Sequence, residues 1–294
     1  MELTLRIAGA AGQGVQTLGE ILARALFRRG LFVHTELSYH SRIRGGENAY
    51  TIRLSDSPVA ATAERAHVLL VLNEEMLSQY ESLLTVDGTV ICDASLAPSA
   101  RAIKLPAVEL AKTELKLPIA AGMVLLGALA RFLGLEGESL GDLVREKFGD
   151  RAEVNLRALE LGAERASPGP WELPRGDPEG RHFLSGAQGV GFGALVAGCR
   201  FLASYPMTPG TAVMVYLASK SEKYGVVVEQ AEDEIAAINM ALGASYAGVR
   251  AMVTTSGGGF ALMVEGLSLS GMIETPVVIH LAQRPAPATG LPTR

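Results

Sequence analysis

Apolar and polar positions along this chain fall into short β-rich runs and longer helical stripes, and the two alternate in the order strand, turn, helix. Leu3 to Ala8 is a strand candidate. After the glycine turn Gly9-Ala10-Ala11-Gly12-Gln13-Gly14, apolar residues recur at helical spacing from Val15 to Arg29, and Gly30 stops the helix. Further strands are predicted at about Phe32, Thr51, Val68 and Val90, with helices between; Ala49 to Leu54 alternates residue by residue. The most apolar segment, Leu117 to Leu135, is interrupted by Pro118, Gly122, Gly127 and Arg131, which predicts a buried helix. From Ala166 to Arg181 the periodicity stops, and four prolines and three glycines in ASPGPWELPRGDPEGR predict a linker.

Beyond the linker the pattern resumes. The alternating, mostly apolar stretch Gly189 to Phe201 leads into the turn Tyr205-Pro206-Met207-Thr208-Pro209-Gly210, which is expected at a strand end. Thr211 to Lys220 suits a helix, Val226-Val227-Val228 a buried parallel strand, and Glu234 to Gly248 a second helix. Ala251 to Thr254 and Pro276 to Leu281 complete the strands. The pattern therefore predicts an α/β protein with a first domain over 1–165, a linker over 166–181 and a second α/β domain over 182–294.

Composition adds limits. With 294 residues, 48% hydrophobic, 5% aromatic and 33 glycines, the chain suits parallel sheets built from small and branched aliphatic residues. A formal charge of −5 argues against nucleic acid or an anionic membrane as partner. No run of eighteen apolar residues occurs, and MELTLRIAGA lacks a signal-peptide apolar region, so a cytoplasmic location is expected. Cys92 and Cys199 stand far apart and suit small core residues; two isolated cysteines cannot ligate an iron-sulfur cluster, which takes about four thiolates. His34, His40, His67, His182 and His280 show no metal-ligand spacing, so no metal site is expected here.

Candidate chemistry concentrates in the second domain. Where the Val226 run turns into helix, the free N–H groups and positive dipole end favour a carboxylate, and Glu232, Asp233 and Glu234 compete for that place. Thr208 stands between two prolines; it suits either a ligand contact or the N-cap of the following helix. Arg284 follows an apolar strand, where its guanidinium could grip a carboxylate with two parallel hydrogen bonds or serve a surface ion pair. Thr255-Ser256-Gly257-Gly258-Gly259-Phe260 is a glycine-rich connection open to either a structural or a ligand role. In the first domain the glycine order is GxxGxG, not the dinucleotide GxGxxG, and Glu36 begins a polar loop; the amides at Gly12 to Gly14 could still hold an anion. Arg42 and Arg44, before Gly45-Gly46, suit a solvated hairpin or an anion contact.

Taken in order, GAAGQG, SYHSRIRGGENAYTIRLSDSPV, YPMTPGT, QAEDEIAAINMALGASYAGVRA, TTSGGGF and QRPAPATGLPTR resemble the 2-oxoacid:ferredoxin oxidoreductases, with a gamma-type domain fused to a truncated thiamine diphosphate pyrimidine-binding domain. The resemblance implies oxidative decarboxylation of a 2-oxoacid, 2-oxoglutarate ahead of pyruvate, to acyl-coenzyme A, carbon dioxide and reduced ferredoxin. The spacing Glu-x8-Gly-Ala-Ser-x-Ala-Gly puts the thiamine-activating glutamate at Glu234, where it would hydrogen-bond N1′ of the aminopyrimidine and so must be desolvated. Thr208, Arg284 and Thr293 match positions that grip the 2-oxoacid; Tyr205, Pro206, Ser256 and Gly257 line the cofactor site. Gly12, Gly14, Arg42, Arg44, Gly45 and Gly46 are the candidates for coenzyme A contacts. The family usually has proline at Gly258 and often asparagine at Gly122. No Gly-Asp-Gly plus asparagine pattern is present, so the diphosphate, its Mg2+ and the iron-sulfur cluster are expected on a partner beta subunit. Two alternatives stand beside this: a non-catalytic assembly module supplying half a cofactor site, and a thiamine-dependent decarboxylase without redox partners. The polypeptide of relatives continues past GLPTR, so the chain is expected to be a fragment or a differently divided enzyme.

Overall fold

The computed structural model describes residues 1–39, 47–135 and 138–283. They fall into two compact units that divide between Phe183 and Leu184.

The first unit is built on a six-stranded sheet of order β2-β3-β1-β4-β5-β6. Its elements run β1 (Glu2–Ala10), α1 (Val15–Arg28), β2 (Phe32–Tyr39), β3 (Glu47–Ser55), β4 (Ala66–Val71), α2 (Glu74–Tyr80), β5 (Leu84–Asp93), β6 (Arg101–Leu105), α3 (Ala107–Thr113), α4 (Ala121–Phe132), α5 (Glu138–Phe148) and α6 (Ala152–Glu164). The β1-β4-β5-β6 half is parallel, but β3 runs antiparallel to both β1 and β2, so the sheet is mixed and not purely parallel. Glu36 lies inside β2, paired with Thr51, and does not open a loop. The strand β6 escaped the sequence pattern because RAIKL is half-exposed at the sheet edge and carries little alternation.

The period of two sorts side chains onto opposite faces. Val68, Leu70 and Ile91 join Leu5, Ile7, Ile52 and Leu54 against the apolar stripes of α1, α3 and α4. Leu69, Val71, Val90 and Cys92 point the other way, against Met76 and Leu77 of α2. The α4 helix, preceded by a short 3-10 turn at Pro118–Ala120, is buried nearly all round because α6 covers it. The two helices approach so closely that a methyl at Gly127 would overlap the Leu159 carbonyl, and one at Gly162 the Val124 carbonyl.

The predicted linker lies against this unit. Leu173 is buried in its core with Trp171 edge-on to Phe132 at 5.3 Å, and the Gly176 amide donates to the Arg29 carbonyl. Arg29 in turn donates to the Leu173 carbonyl at 2.6 Å, and Arg181 to that of Gly30 at 2.7 Å. Proline-rich sequence here specifies an irregular strap with fixed partners.

The second unit carries a parallel sheet of order β10-β9-β7-β8. Its elements are α7 (Gly186–Val196), β7 (Phe201–Ser204), α8 (Thr211–Ala218), α9 (Ser221–Tyr224), β8 (Val227–Gln230), α10 (Glu234–Tyr246), β9 (Ala251–Thr255), α11 (Gly257–Leu262), α12 (Val264–Met272) and β10 (Val278–Leu281). The alternating stretch from Gly189 is thus mostly helix, because a Ser185–Gln188 capping box starts α7 and only Phe201–Ser204 is strand. Val227 is exposed where a buried strand was expected, since β8 is a sheet edge. Ala203 and Val253 face α10, while Leu202 and Met252 face α8. Among the described residues, no helix is long and apolar enough to cross a membrane.

The glycine contact between α4 and α6 yields a clear expectation. Gly162→Val should destabilise the first unit by about 1–3 kcal/mol or more, because backbone cannot yield as a side chain can. Gly189→Ala, where a methyl would meet nothing within 4 Å, should be neutral or stabilise by about 1 kcal/mol. Urea unfolding of the two variants beside the parent checks both.

Candidate functional site

In an open parallel sheet, ligands collect beyond the carboxyl ends of the strands, where successive connections leave to opposite faces. In the second unit that place lies between β7 and β9: α8 leaves the end of β7 on one face, while α11 and α12 follow β9 on the face of α10. The two connections there are Tyr205–Gly210 and the Ser256 turn, both singled out by the sequence.

The competition among three acids is resolved locally. Asp233 takes an extended N-cap conformation and its side chain accepts the Ala236 amide at 2.7 Å, which fixes the first turn of α10. Glu232 is exposed. Glu234 then shares a stripe with Ala237, Ile238, Ala241 and Leu242, at spacings of three, four, seven and eight, and this stripe faces the sheet. Glu234 is consequently only 3% exposed, and its Oε1 is buried without a hydrogen-bond partner.

Two more orphaned oxygens sit at the end of β9. Thr255 Oγ1 and Ser256 Oγ are buried and unpaired; with Arg6 Nη1 of the first unit they complete the buried, unpartnered side-chain polar atoms among the described residues. A Cβ at Gly259 would overlap Thr255 Oγ1 and come within 2.8 Å of Glu234 Oε1, so both oxygens converge on the backbone of Gly259. The glycine-rich connection is therefore no loose turn: Ser256 stands at the N-cap position of α11 and the three glycines form its first turn, which lets the helix press against the carboxyl. Thr255 and Gly259 were missed as site residues; the spacing of the glycines was the only signal, and it does not say which one must stay bare.

The Tyr205–Gly210 connection is held from both ends. Ser204 Oγ donates to the Thr254 carbonyl at 2.7 Å, and Thr254 Oγ1 donates to the Gly210 carbonyl at 3.1 Å. Thr208 is half-buried in a turn, preceding a cis bond to Pro209; it does not cap α8, whose N-cap position is Gly210. Tyr205 and Pro206 are exposed, and Gly257 is half-buried. Arg284 and Thr293 lie outside the described residues. An apolar groove of about 760 Å³ runs between α7 and β10, lined by Val190, Ala194, Cys199, Met252 and Val278 among others, and holds none of the predicted site residues.

In the first unit Gly12 and Gly14 both adopt positive φ, 90° and 81°, which only glycine takes without strain. The turn they make is organised by Gln13, whose Oε1 accepts the Ala10 amide at 2.6 Å and Asn73 Nδ2 at 2.8 Å. The Gln13 amide is already donated to the Ala10 carbonyl, so it is not free for an anion. Arg42, Arg44, Gly45 and Gly46 lie outside the described residues. Gly122 packs under Leu18 near the same turn.

Two α/β units, the second carrying a buried carboxyl and two buried hydroxyls at its switch point, define a protein of the α/β class with a candidate ligand site. The chain belongs to the pyruvate ferredoxin/flavodoxin oxidoreductase family: residues 4–165 match that family, and residues 192–294 match its thiamine diphosphate-binding domain. It is 30% identical to a 2-oxoacid:ferredoxin oxidoreductase alpha subunit from Sulfolobus, over 100% of this chain and 56% of the relative. It is also 30% identical to a 2-oxoglutarate oxidoreductase subunit of Mycobacterium tuberculosis, over 99% of this chain and 52% of that one. Among solved structures it resembles the 2-oxoglutarate:ferredoxin oxidoreductase of Magnetococcus marinus, determined with 2-oxoglutarate, coenzyme A and succinyl-CoA bound. That match has a TM-score of 0.87 and 32% identity, covering 100% of this chain and 54% of that one. The chain thus spans about half the length of the relatives it matches.

A buried carboxyl oxygen with no partner costs stability in the chain by itself. Glu234→Leu should raise the stability of the second unit by about 1 kcal/mol or more. Ser256→Ala should act in the same direction and less strongly. Denaturant unfolding checks this; a destabilised Glu234→Leu would mean that the carboxyl holds the fold together.

Proposed function

We propose that this chain contributes one half of a thiamine diphosphate site to a 2-oxoacid:ferredoxin oxidoreductase, with 2-oxoglutarate favoured over pyruvate as substrate. The overall reaction joins 2-oxoacid, coenzyme A and two oxidised ferredoxins to give acyl-coenzyme A, carbon dioxide, a proton and two reduced ferredoxins. The observation that carries the reading is the orphaned Glu234 Oε1 beside Thr255 and Ser256 at the switch point. Such a set of acceptors and hydroxyls, kept from water, suits a ligand that brings its own N–H donors.

When bound, thiamine diphosphate supplies the carbon nucleophile and the electron sink that decarboxylation of a 2-oxoacid requires. Glu234 would share a proton with N1′ of the aminopyrimidine, and its place in a dry stripe of alanine and isoleucine strengthens that hydrogen bond by excluding water. Ser256 and Gly257, with Tyr205 and Pro206 across the crevice, would line the ring. Thr208 on the β7 connection, with Arg284 and Thr293, would orient the 2-oxoacid, the arginine through a bidentate pair with its carboxylate. Gly12 and Gly14, with Arg42, Arg44, Gly45 and Gly46, would meet coenzyme A.

The partners follow from what this sequence holds. Two cysteines cannot supply the four thiolates of a cluster, and this sequence holds no Gly-Asp-Gly plus asparagine pattern, so we assign the iron-sulfur centre, the diphosphate and its Mg2+ to a beta subunit, with ferredoxin as acceptor. The two units are assigned as gamma-type (1–165) and pyrimidine-binding (182–294) parts, joined through 166–181. A cytoplasmic setting belongs to the same reading.

With the partner reconstituted, Glu234→Gln should reduce exchange of the cofactor's C2 proton by at least about 100-fold while assembly persists, because the amide keeps the shape and cannot share the proton. Exchange followed by proton NMR checks this; near-normal exchange, with loss in Glu232→Gln instead, would move the assignment. Arg284→Lys should lower kcat/KM for the 2-oxoacid by about 1.5–3 kcal/mol in activation free energy and spare C2 exchange. Steady-state kinetics on 2-oxoglutarate and pyruvate beside the exchange measurement separates the two effects.

A further inference from the structure

His280 entered the sequence only as a histidine without metal-ligand spacing. In the fold it sits on β10 directly opposite Thr254 of β9, and its Nδ1 lies 2.9 Å from Thr254 Oγ1. The same hydroxyl lies 3.1 Å from the Gly210 carbonyl, which closes the Tyr205–Gly210 connection. A hydroxyl has one proton to give, and a carbonyl can only accept. The contact with Gly210 therefore consumes the Thr254 proton, and the contact with His280 requires the ring to donate. Burial holds the His280 pKa below its ordinary value, which favours the neutral ring. A neutral ring that donates from Nδ1 carries no proton on Nε2.

The geometry points to His280 as a positioning residue for the substrate loop: Nδ1–H of His280 donates to Thr254 Oγ1, which donates to the Gly210 carbonyl and holds the Thr208 connection against the end of β9. The chain of two hydrogen bonds ties β10 and β9 to the N-cap position of α8, at the end of the connection that follows β7. Gly210 has no side chain for a reason that fits: a Cβ there would come within 2.8 Å of the Thr255 carbonyl and 3.1 Å of Thr254 Oγ1. Two residues before this clamp stands Thr208, and four after His280 in the sequence comes Arg284, two of the three residues proposed to hold the 2-oxoacid. His280 itself touches no reacting atom. Its functional consequence rests on that proposed reading, whereas the tautomer does not.

Nitrogen-15 NMR of the full chain with labelled histidine reads the tautomer without cofactor or turnover. The expected result is a protonated Nδ1 and an unprotonated Nε2 for His280, with the preference lost in Thr254→Val and kept in Thr254→Ser. In the reconstituted enzyme, His280→Leu should lower kcat/KM for the 2-oxoacid by about three- to tenfold, the worth of one buried hydrogen bond. The loss should appear in KM for the oxoacid, with C2 exchange and KM for coenzyme A unchanged. His280→Asn, whose amide can donate from nearly the position of Nδ1, should recover most of it. An Nε2–H ring in the parent chain overturns the proposal, as does unchanged kinetics in both His280→Leu and Thr254→Val, or Asn as damaging as Leu. A reconstituted parent that decarboxylates no 2-oxoacid would sink the proposed function and leave the tautomer standing on the spectrum alone.

Discussion

The hydrogen bond from the Ala236 amide to Asp233 sets the phase of α10, and the phase decides which acid is buried. A helix turns 100° per residue, so moving its start by one position would carry Ile235 or Asp233 toward the sheet and Glu234 toward water. With the cap where it is, Glu234 stands at the head of an otherwise aliphatic stripe, at the one end of α10 where free N–H groups and the positive dipole end make a carboxyl tolerable. The rest of the site depends on this. Gly259 must lack a side chain because the carboxyl lies against it, and the short helix α11 must begin at Gly257 to bring Gly259 there.

In the second unit, the described side-chain polar groups that are buried and left unpaired fall in one small region. Glu234, Thr255 and Ser256 are all buried, and each carries an oxygen without a partner. Elsewhere among the described residues of the second unit buried hydroxyls are satisfied: Ser204 by the Thr254 carbonyl, Thr254 by Gly210 and His280. The Ser204 and Thr254 hydroxyls are hydrogen-bonded to backbone, whereas Glu234 Oε1 and Ser256 Oγ, on residues proposed to meet a ligand, are not paired.

The two units achieve rigidity differently. The first wraps a mixed sheet with helices in close backbone contact and straps the 166–181 segment onto its core through Leu173, Trp171 and Arg29. The second has a four-stranded sheet whose edge strands β8 and β10 expose Val227 and Val278, and its helices leave Val196, Tyr246 and Met272 in contact with solvent.

Much of this was determined by the sequence alone. Alternation and helical spacing placed most strands and helices, and the ordered motifs carried the family, because both depend on local chemistry that is written residue by residue. Local chemistry could name Glu232, Asp233 and Glu234 but not choose among them, since burial depends on which face of α10 meets the sheet; within the sequence only the family spacing pointed to Glu234. It gave no sign of the β6 strand, the antiparallel β3 insertion or the packed strap, all of which arise from partners distant along the chain. The pairing of His280 with Thr254 was equally hidden: the two are 26 residues apart, and only the parallel register of β9 and β10 brings a ring nitrogen to a hydroxyl that has already given its proton away.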